Sequence, residues 1–368
     1  MTESDQLHRR VKRFVEAAMQ GTALPESFDE LGVAIAAYQA ETQPGYARLC
    51  AARGVDPTRA TALSQLPAVP ADAFRMMRVA SHPPEKDVAV FRTSGTTMGT
   101  RGEHFMATTS TYEDVALAWG RWALFPDVKE KLVTIVLAPP PEVAHDSSLG
   151  FMMALFARHF GRDAIWGVRE GELDVDSVIA ACERARASSL PTIVMGASFA
   201  FVHLLGALAG RKLPLPEGSR AMQTGGFKGK SRVVEASELR AAIADTFGLP
   251  SANVVSEYGM TELSSQAYEG TLRAHLGLPT PSREAGIFLP PPWMRIMPVD
   301  PESLLPVPDG EVGLLRFEDL ANVDSAVVIQ TADRGVREDG GIRLLGRAPG
   351  ALPRGCSIAI DELLSPDT

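Results

Sequence analysis

The segment from Thr93 to Gly102 carries the strongest local signal for chemistry in this sequence. It reads Thr-Ser-Gly-Thr-Thr-Met-Gly-Thr-Arg-Gly and contains three glycines, four threonines and one serine. Glycine lets backbone amides approach an anion closely, hydroxyl groups donate hydrogen bonds to phosphate oxygens, and Arg101 adds a positive charge. The order of residues is not that of a Walker A loop, GxxxxGK[ST]. By composition alone, a phosphate-binding loop and an ordinary flexible loop are equally compatible with this segment.

Three further segments combine glycine with hydroxyl or charged residues. They are Gln223–Lys230 (QTGGFKGK), Ser256–Glu262 (SEYGMTE), and Thr331–Asp333 (TAD) followed by 340–347 (GGIRLLGR). Each has an ordinary structural interpretation as well. Glycine pairs are common in turns, SEYGMTE could be the end of a strand before a helix, and Asp333 could be a turn residue.

The elements that would position these segments follow an α/β pattern from about residue 86. Leu132–Ala138 (LVTIVLA) is a continuous apolar run, which is typical of a strand buried on both faces. Similar short runs are Thr192–Met195, Ala221–Thr224 and Asn253–Ser256. Helical stretches such as Val175–Ala187 lie between them, and this alternation predicts a largely parallel sheet.

The sequence divides into four predicted parts. They are an N-terminal helical part (1–85), an α/β core with the loop and the YGMTE motif (86–285), a β-rich subdomain (286–346) and a C-terminal tail carrying Cys356 (347–368). The third part is predicted from short apolar segments that are separated by Pro, Asp and Gly turns.

Composition excludes several classes of protein. The net charge of −9 argues against nucleic acid as a partner, because phosphate backbones attract cationic surfaces. Three scattered cysteines without a CxxC pair indicate a reducing compartment rather than a disulfide framework or a zinc site. The N-terminus lacks the apolar stretch of a signal peptide, and we find no membrane-length apolar run. These features predict a cytoplasmic protein without a membrane span.

Together, the four glycine-containing segments resemble the adenylate-forming, or acyl-activating, enzymes. Residues 93–102 are similar to the phosphate loop of that superfamily, [ST]SG[ST]TGxPKG, with departures at Met98 and at Arg101, which replaces a lysine. Arginine can bind phosphate through two hydrogen bonds. The resemblance implies ATP as a cofactor, with its phosphates held by Thr93, Ser94, Gly95, Thr96, Thr97 and Arg101.

The YGxTE core of the superfamily matches residues 258–262. The resemblance implies that Tyr258 lies against adenine, that Thr261 meets a phosphate, and that Glu262 helps to hold Mg²⁺, with Gly259 as part of the same nucleotide-binding motif. Magnesium would offset charge as a carboxylate oxygen attacks the α-phosphorus. Gly225 and Gly226 would lie beside the adenine and the acyl pocket.

The resemblance extends to the ribose and acyl sites. Asp333 would accept hydrogen bonds from ribose hydroxyls, with Ala332 replacing the usual glycine of a TGD element, and Arg347 would lie next to the hinge of the large domain. The carboxylic acid substrate would lie against Ala197, Ser198 and Phe199. The apolar content of this segment suits a fatty or an aromatic acid.

Among adenylate-forming enzymes, the chain is most similar to LuxE-type acyl-protein synthetases. Members of that group end soon after the GR element, as this sequence does after Arg347, and carry an acylated cysteine in a tail like 354–357 (RGCS). Residues 139–149 (PPPEVAHDSSL) resemble a proline-rich segment of the same group. The expected fold is therefore the large N-terminal domain of the adenylate-forming fold, with parallel sheets and a β-rich subdomain, and without the mobile C-terminal domain.

Cys356 is the predicted acyl carrier, because Arg354 and Gly355 would favour access and a nucleophilic thiolate. Its apolar neighbours also suit a small core residue. His104 and His145 are candidates for deprotonating a thiol or orienting an acyl donor, or they are structural polar residues. Cys50 and Cys182 have helical contexts that favour packing roles.

The predicted reaction has two steps. A fatty or aromatic carboxylate is adenylated by ATP and Mg²⁺, and Cys356 then passes the acyl group as a thioester to an acyl-accepting protein such as a reductase or acyl carrier protein. One alternative is an ATP-independent acyltransferase that moves an acyl group from acyl-CoA or an acyl carrier protein via Cys356. Coenzyme A or a phosphopantetheine thiol would then be the group that donates or accepts the acyl chain. Another is a catalytically silent docking subunit of a reductase or synthase complex. The acid, the final acceptor and the oligomeric state stay open.

Overall fold

The computed structural model describes residues 1–94, 100–225, 235–348 and 354–364, with side chains in the last range from residue 359 onward. Its helices are α1 (Glu3–Gln20), α2 (Phe28–Thr42), α3 (Pro44–Ala52), α4 (Ala73–Met76), α5 (Ser110–Ala123), α6 (Ser148–Phe160), α7 (Val175–Ala187), α8 (Ser198–Leu208), α9 (Ala236–Phe247), α10 (Thr271–His275) and α11 (Arg354–Leu364). Short 3₁₀ turns are Pro57–Arg59, Leu63–Gln65, Pro84–Lys86 and Ser251–Asn253.

The strands alternate with these helices in the middle of the chain and cluster near its end. They are β1 (Val69–Pro70), β2 (Ala89–Arg92), β3 (Glu103–Met106), β4 (Leu132–Leu137), β5 (Gly161–Trp166), β6 (Val168–Arg169), β7 (Glu172–Leu173), β8 (Thr192–Ala197), β9 (Arg220–Thr224), β10 (Val254–Tyr258), β11 (Ala267–Tyr268), β12 (Ile287–Phe288), β13 (Met294–Val299), β14 (Val312–Asp319), β15 (Val328–Glu338) and β16 (Gly341–Arg347).

The chain forms two compact units. Unit 1 contains residues 1–118, 260–266 and 290–368, and unit 2 contains residues 119–259 and 267–289. The four-part division predicted from the sequence stays a prediction. Two of the predicted site residues, Tyr258 and Glu262, are four positions apart in sequence but belong to different units.

Unit 2 is built on a mainly parallel sheet with the strand order β11-β10-β9-β8-β4-β5. All six residues of β4 are buried, as its continuous apolar sequence predicts. Helices α7, α8 and α9 cover apolar side chains of β4, β8, β9 and β10 in one continuous core. The predicted alternation of strands and helices is confirmed, and α7 has the predicted bounds.

Unit 1 contains a twisted antiparallel sheet in which β13, β14, β15 and β16 are neighbours in chain order, and β1 pairs with β15 in parallel. Strands β2 and β3 form a separate antiparallel hairpin. Strands β13, β14 and β15 contain apolar segments from which the β-rich part was predicted.

The N-terminal helix α1 buries one face, as its spacing predicts. Leu7, Val11, Phe14 and Val15 are all buried, and Thr2 closes a capping box with Asp5 at the helix start. In the part of the chain that the structure describes, no helix is long and apolar enough to cross a membrane.

The buried cysteines have packing roles. Cys50 and Cys182 are each at most 2% exposed. Burial raises the pKa of Cys50 to about 11 and that of Cys182 to about 12. Because a thiol with such a pKa stays protonated near neutral pH, neither cysteine is suited to act as a nucleophile.

Candidate functional site

The predicted phosphate loop connects the two strands of the β2–β3 hairpin in unit 1. Its two ends are joined by backbone and side-chain hydrogen bonds: Thr93 N donates to Gly102 O, and Gly102 N donates to Thr93 Oγ1, both at 2.9 Å. Thr93 is buried, whereas Ser94 is exposed. The loop is therefore a closed hairpin connection with a rigid base. Gly95, Thr96 and Thr97 lie outside the described residues.

Arg101 stabilises the base of this loop. Its Nε donates to Thr93 O at 2.7 Å and its Nη2 donates to Arg92 O at 3.2 Å. The guanidinium is partly exposed.

Glu262 lies next to the loop base. It is 7% exposed, and a methyl group placed on Gly102 would be 3.6 Å from Glu262 Oε1. Magnesium is usually held by one or two carboxylates together with phosphate oxygens and water. Within the described ranges, no cluster of three or more His, Cys, Asp or Glu side chains could hold a metal by itself. The Glu262 carboxylate beside the predicted phosphate loop is therefore compatible with a Mg²⁺ ion that the phosphates of a nucleotide would also bind.

His104 contacts the same motif from inside the protein. It is 2% exposed, and its Nδ1 lies 2.8 Å from Thr261 O. Because a carbonyl oxygen only accepts hydrogen bonds, Nδ1 must carry the proton. Burial lowers the pKa of His104 to about 4, so the ring is neutral at physiological pH. These surroundings suit a residue that positions Thr261, while a role of His104 as a general base stays a prediction.

Asp333 and Arg347 are neighbours on β15 and β16. The two residues are paired in register, and Arg347 Nε lies 3.4 Å from Asp333 Oδ1. Arg347 is exposed and Asp333 is partly exposed. The adjacent backbone is held by Ala348 N, which donates to Ala332 O at 2.9 Å. The two predicted residues therefore lie on one accessible strand pair.

In unit 2, the predicted acyl-pocket and glycine segments meet at the carboxyl ends of three parallel strands. Ala197, Thr224 and Glu257 lie side by side in register on β8, β9 and β10. In open α/β sheets, this edge is where ligands bind. Ser198 begins α8 directly after β8, and Gly225, with φ of +76°, directly follows β9.

Ser198 is 4% exposed and binds protein groups. Its hydroxyl lies 2.7 Å from Gly225 O and 2.8 Å from Gln223 Oε1. Gln223 in turn donates through Nε2 to Ser256 Oγ at 2.9 Å. Ser198 therefore binds Gln223 and Gly225 at the described start of the glycine segment, and its predicted contact with substrate stays a prediction. The neighbouring Phe199 is 42% exposed and can contact a ligand.

Tyr258 ends β10 and is half-buried. Its ring is 6.0 Å from the ring of Phe288 in an edge-to-face arrangement. The preceding residue, Glu257, is 5% exposed and accepts a hydrogen bond from Thr224 Oγ1. Burial raises the pKa of Glu257 to about 7, and the Thr224 hydrogen bond opposes this effect. Gly259 follows and is exposed.

His145 and Cys356 occupy different settings. His145 is exposed in unit 2, two residues before Ser147, which caps α6 by accepting from Gly150 N at 3.0 Å. Cys356 is the third residue of α11 in unit 1. The side chain of Cys356 and all of Gly226 lie outside the described residues.

Helix α11 is anchored to α3 at its C-terminal half. Arg48 Nη2 donates to Leu363 O at 2.6 Å, and Arg53 Nε lies 2.8 Å from Glu362 Oε2. Leu363 is 2% exposed, and Ala359 and Ile360 are also buried. The first turn, which contains Cys356, is therefore attached to a packed helical segment.

Three buried polar residues near the predicted motifs were missed in the sequence analysis. They are Glu257, Asp319 and Asn322. Asp319 is the last residue of β14 and Asn322 follows three positions later, in the sequence FEDLANVDS (317–325), and both bind the segment that carries Thr261 and Glu262. Carboxyl and amide side chains inside an apolar run were the signal that could have revealed them.

Two curated relatives share part of the sequence. The chain is 24% identical over 207 residues to a long-chain-fatty-acid–luciferin-component ligase of Vibrio harveyi, covering 53% of this chain and 51% of that protein. The ligase of the same name from Aliivibrio fischeri is 29% identical over 115 residues, covering 30% of this chain and 27% of that protein. The matches thus span at most about half the length of these relatives.

Solved structures show the fold. An open form of 2-hydroxyisobutyryl-CoA ligase, in complex with 2-HIB-AMP and CoA, superimposes with a TM-score of 0.62 at 14% identity, covering 89% of this chain and 76% of that chain. Its thioesterification state gives 0.61 at 14% identity, covering 94% and 69%. The predicted adenylate-forming fold class is confirmed, and the absence of a mobile C-terminal domain stays a prediction.

The family model of LuxE acyl-protein synthetases matches residues 31–365. This range includes all of unit 2, unit 1 from residue 31 to residue 365, the hairpin loop, the YGMTE motif and α11. The chain belongs to the LuxE acyl-protein synthetase family.

Proposed function

We propose that this protein activates a carboxylic acid with ATP and carries the acyl group on Cys356 to an acceptor. The observation that best supports the proposal is the position of the buried Glu262 carboxylate beside the closed base of the 93–102 loop. A phosphate-binding loop and a carboxylate for a phosphate-bound metal are the two parts that activation by ATP needs in one place.

In the proposed first step, a carboxylate oxygen of the acid attacks the α-phosphorus of ATP. The bond from the α-phosphorus to the bridging oxygen breaks, so that pyrophosphate leaves and an acyl-adenylate remains. Thr93, Ser94 and Arg101 at the loop base would donate hydrogen bonds to phosphate oxygens. Glu262 would hold Mg²⁺, which offsets the charge of the phosphates when it is bound. Asp333 would accept hydrogen bonds from the ribose.

In the second step, the Cys356 thiolate attacks the acyl carbonyl carbon and AMP leaves, which produces a thioester. The first turn of a helix favours a thiolate over a thiol, and Cys356 lies in the first turn of α11. An acceptor nucleophile then takes the acyl group and releases the thiol. The acceptor class that we propose is a protein such as a reductase or an acyl carrier protein, with coenzyme A as another thiol acceptor.

The relatives favour a long-chain fatty acid as substrate, since both are named long-chain-fatty-acid–luciferin-component ligases. Phe199, which is 42% exposed at the start of α8, offers an apolar surface for such a chain. Aromatic acids remain part of the proposed substrate class, because an exposed phenyl ring contacts either kind of acid.

The proposal is tested by incubating the protein with ATP, Mg²⁺ and a panel of fatty and aromatic acids. Intact mass and pyrophosphate are measured together. We expect one acyl adduct that is absent from Cys356→Ser. The control is Cys182→Ala, which removes a buried cysteine and should still form the adduct. Cys356→Ser should still release pyrophosphate, because adenylation precedes transfer.

Two other outcomes would replace this proposal. An adduct formed from acyl-CoA or an acylated carrier protein, without pyrophosphate from any acid, would indicate an ATP-independent acyltransferase. Neither adduct nor nucleotide binding under any condition would indicate a catalytically silent docking subunit.

A further inference from the structure

Residues 260–266 form an irregular connection that carries Thr261 and Glu262. One turn-like hydrogen bond runs from Leu263 N to Met260 O at 3.1 Å. Several other backbone groups of this connection bind side chains from elsewhere in unit 1. Irregular backbone has no repeating ladder to fix its dihedral angles, so the side chains that bind it decide where its residues lie.

The side chain of Asn322 binds backbone groups of the residues before and after Leu263. Its Nδ2 donates to Glu262 O at 2.9 Å, and its Oδ1 accepts from Ser264 N at 2.9 Å. The same Nδ2 also donates to Ala326 O at 2.9 Å. Asn322 is 1% exposed, so all three bonds are shielded from water. This amide fixes the backbone on both sides of Leu263.

Asp319 holds the end of the connection. Its Oδ2 accepts from Ser264 N at 3.1 Å and from Ser265 N at 2.8 Å, and its Oδ1 accepts from Ser265 Oγ at 2.7 Å and from Ala321 N at 3.0 Å. Asp319 is fully buried. Trp293 Nε1 donates to Ser265 Oγ at 3.1 Å, which fixes that hydroxyl from another direction.

His104 holds the start of the connection through the bond from Nδ1 to Thr261 O. Its ring packs edge-to-face on Phe74, with centroids 5.7 Å apart. Backbone groups at Thr261, Glu262, Ser264 and Ser265 are therefore bound by three buried side chains from two other segments of the chain.

We propose that His104, Asp319 and Asn322 are positioning residues that set the placement of Thr261 and Glu262 for Mg²⁺–nucleotide binding. This inference rests on the proposed function. A binding constellation must be held to within about 0.5 Å by supporting hydrogen bonds. The carboxylate of Glu262 is attached to the carbonyl unit that Asn322 binds, so a shift of that unit moves the carboxylate directly.

Asn322→Asp and Asn322→Leu are the main test variants. Aspartate keeps an oxygen that can accept from Ser264 N. Its second carboxylate oxygen replaces the amide NH₂ group, so it would face Glu262 O and Ala326 O and be repelled by both. Leucine removes all three bonds. His104→Asn keeps an amide donor close to the Nδ1 position, whereas His104→Phe keeps the ring and loses the donor. We expect His104→Asn to bind Mg²⁺–nucleotide more tightly than His104→Phe.

The matched control is Asn253→Leu. Asn253 is another buried asparagine, 6% exposed, and its Nδ2 donates to Ser219 O at 2.9 Å. Both residues belong to unit 2 and lie outside the 260–266 connection. Loss of this side chain should lower stability without displacing Glu262, so it separates a general loss of stability from a specific loss of positioning.

The experiment measures equilibrium binding of a non-hydrolysable ATP analogue with Mg²⁺ by calorimetry, together with the Mg²⁺ dependence of pyrophosphate formation. We expect Asn322→Asp to weaken Mg²⁺–nucleotide binding about tenfold, equivalent to the loss of one well-placed hydrogen bond. The KM for ATP should rise by a similar factor and the KM for the carboxylic acid should stay unchanged. Asn253→Leu should bind the analogue like the wild type while unfolding at a lower temperature.

The inference is overturned if the Asn322 variants bind the analogue like the wild type, or if Asn253→Leu loses affinity to the same extent. Parallel increases in KM for ATP and for the acid would also overturn it, because a purely structural role has that signature. A wild-type protein that binds no Mg²⁺–nucleotide refutes the proposed function instead, which keeps the two failures distinct.

Discussion

The buried carboxyl of Glu257 should make the stability of the protein fall as pH rises. Glu257 is 5% exposed at the carboxyl end of β10, and its described hydrogen-bond partner is the Thr224 hydroxyl. Burial raises its pKa from 4.5 to about 7. Between these two values, the folded state holds a proton that the unfolded state has released. The unfolding free energy therefore decreases with pH across this window.

The size of the effect follows from linkage. Each pH unit inside the window changes the unfolding free energy by about 1.4 kcal/mol, so the full difference is about 3 kcal/mol. Stability from the protonated carboxyl is complete below the unfolded pKa and is lost as the pH passes through the folded pKa. Glu257→Gln keeps the shape of the side chain and removes the titration, so its profile should lack this decrease.

Other buried groups titrate nearby with different signs. Burial lowers the pKa of His104 from 6.5 to about 4, so its contribution increases the unfolding free energy with pH in that range. Burial raises the pKa of Asp319 from 3.8 to about 6, which acts in the same direction as Glu257. The dependence of the wild-type unfolding free energy on pH is therefore the sum of these contributions. The difference between wild type and Glu257→Gln isolates Glu257.

The assay is denaturant unfolding followed by tryptophan fluorescence at several values between about pH 5 and pH 8. Glu217→Gln is the control, because Glu217 is an exposed carboxyl in the same unit. The wild type should lose stability relative to Glu257→Gln as pH rises, and Glu217→Gln should follow the wild type. Parallel profiles for wild type and Glu257→Gln would refute the assignment of a protonated, buried Glu257.

Three further changes have expected outcomes. Gly102→Ala should weaken Mg²⁺–ATP binding several-fold, because its methyl group would lie 3.1 Å from Thr93 Cγ2 and 3.3 Å from Arg75 Cγ and would therefore displace the loop base next to Glu262, and unaltered binding would contradict the proposed role of that base. Asp333→Asn should raise the KM for ATP while unfolding free energy changes by less than about 1 kcal/mol, since its ion pair with Arg347 is partly exposed; a stability loss without a KM change would assign Asp333 to structure alone. Gly270→Ala should destabilise unit 2 by more than about 2 kcal/mol, because its methyl group would collide with a backbone carbonyl oxygen, and thermal unfolding near the wild-type temperature would contradict this packing.

The fold was largely predictable because its signals are local. The apolar run at 132–138 is long, uninterrupted and ended by prolines, and it forms the fully buried strand β4. The spacing of Leu7, Val11 and Phe14 likewise identifies the buried face of α1. These patterns reflect which positions are buried, and the apolar or polar character of each residue indicates this directly.

The roles of individual site residues were less predictable because they depend on partners far away in sequence. Ser198 was predicted to contact substrate from its place in a motif, which does not reveal that its hydroxyl binds Gln223 on strand β9 and Gly225 directly after that strand. Asn322 is 60 residues from Glu262, whose carbonyl it binds. A sequence motif identifies which residue types are present, but not which hydrogen bonds they make after folding.

Both units use the same physical solution where a regular strand ends and a candidate ligand-binding segment begins. In unit 2, Ser198 binds the carbonyl of Gly225 after β9, and in unit 1, Asn322 binds the carbonyl of Glu262. In each case a buried polar side chain satisfies backbone that no strand partner can satisfy. The carbonyl groups of Gly225 and Glu262 are thereby held by side chains of the protein itself. If this reasoning is correct, removing Ser198 or Asn322 should impair binding before it impairs folding, whereas removing an apolar core residue should do the reverse.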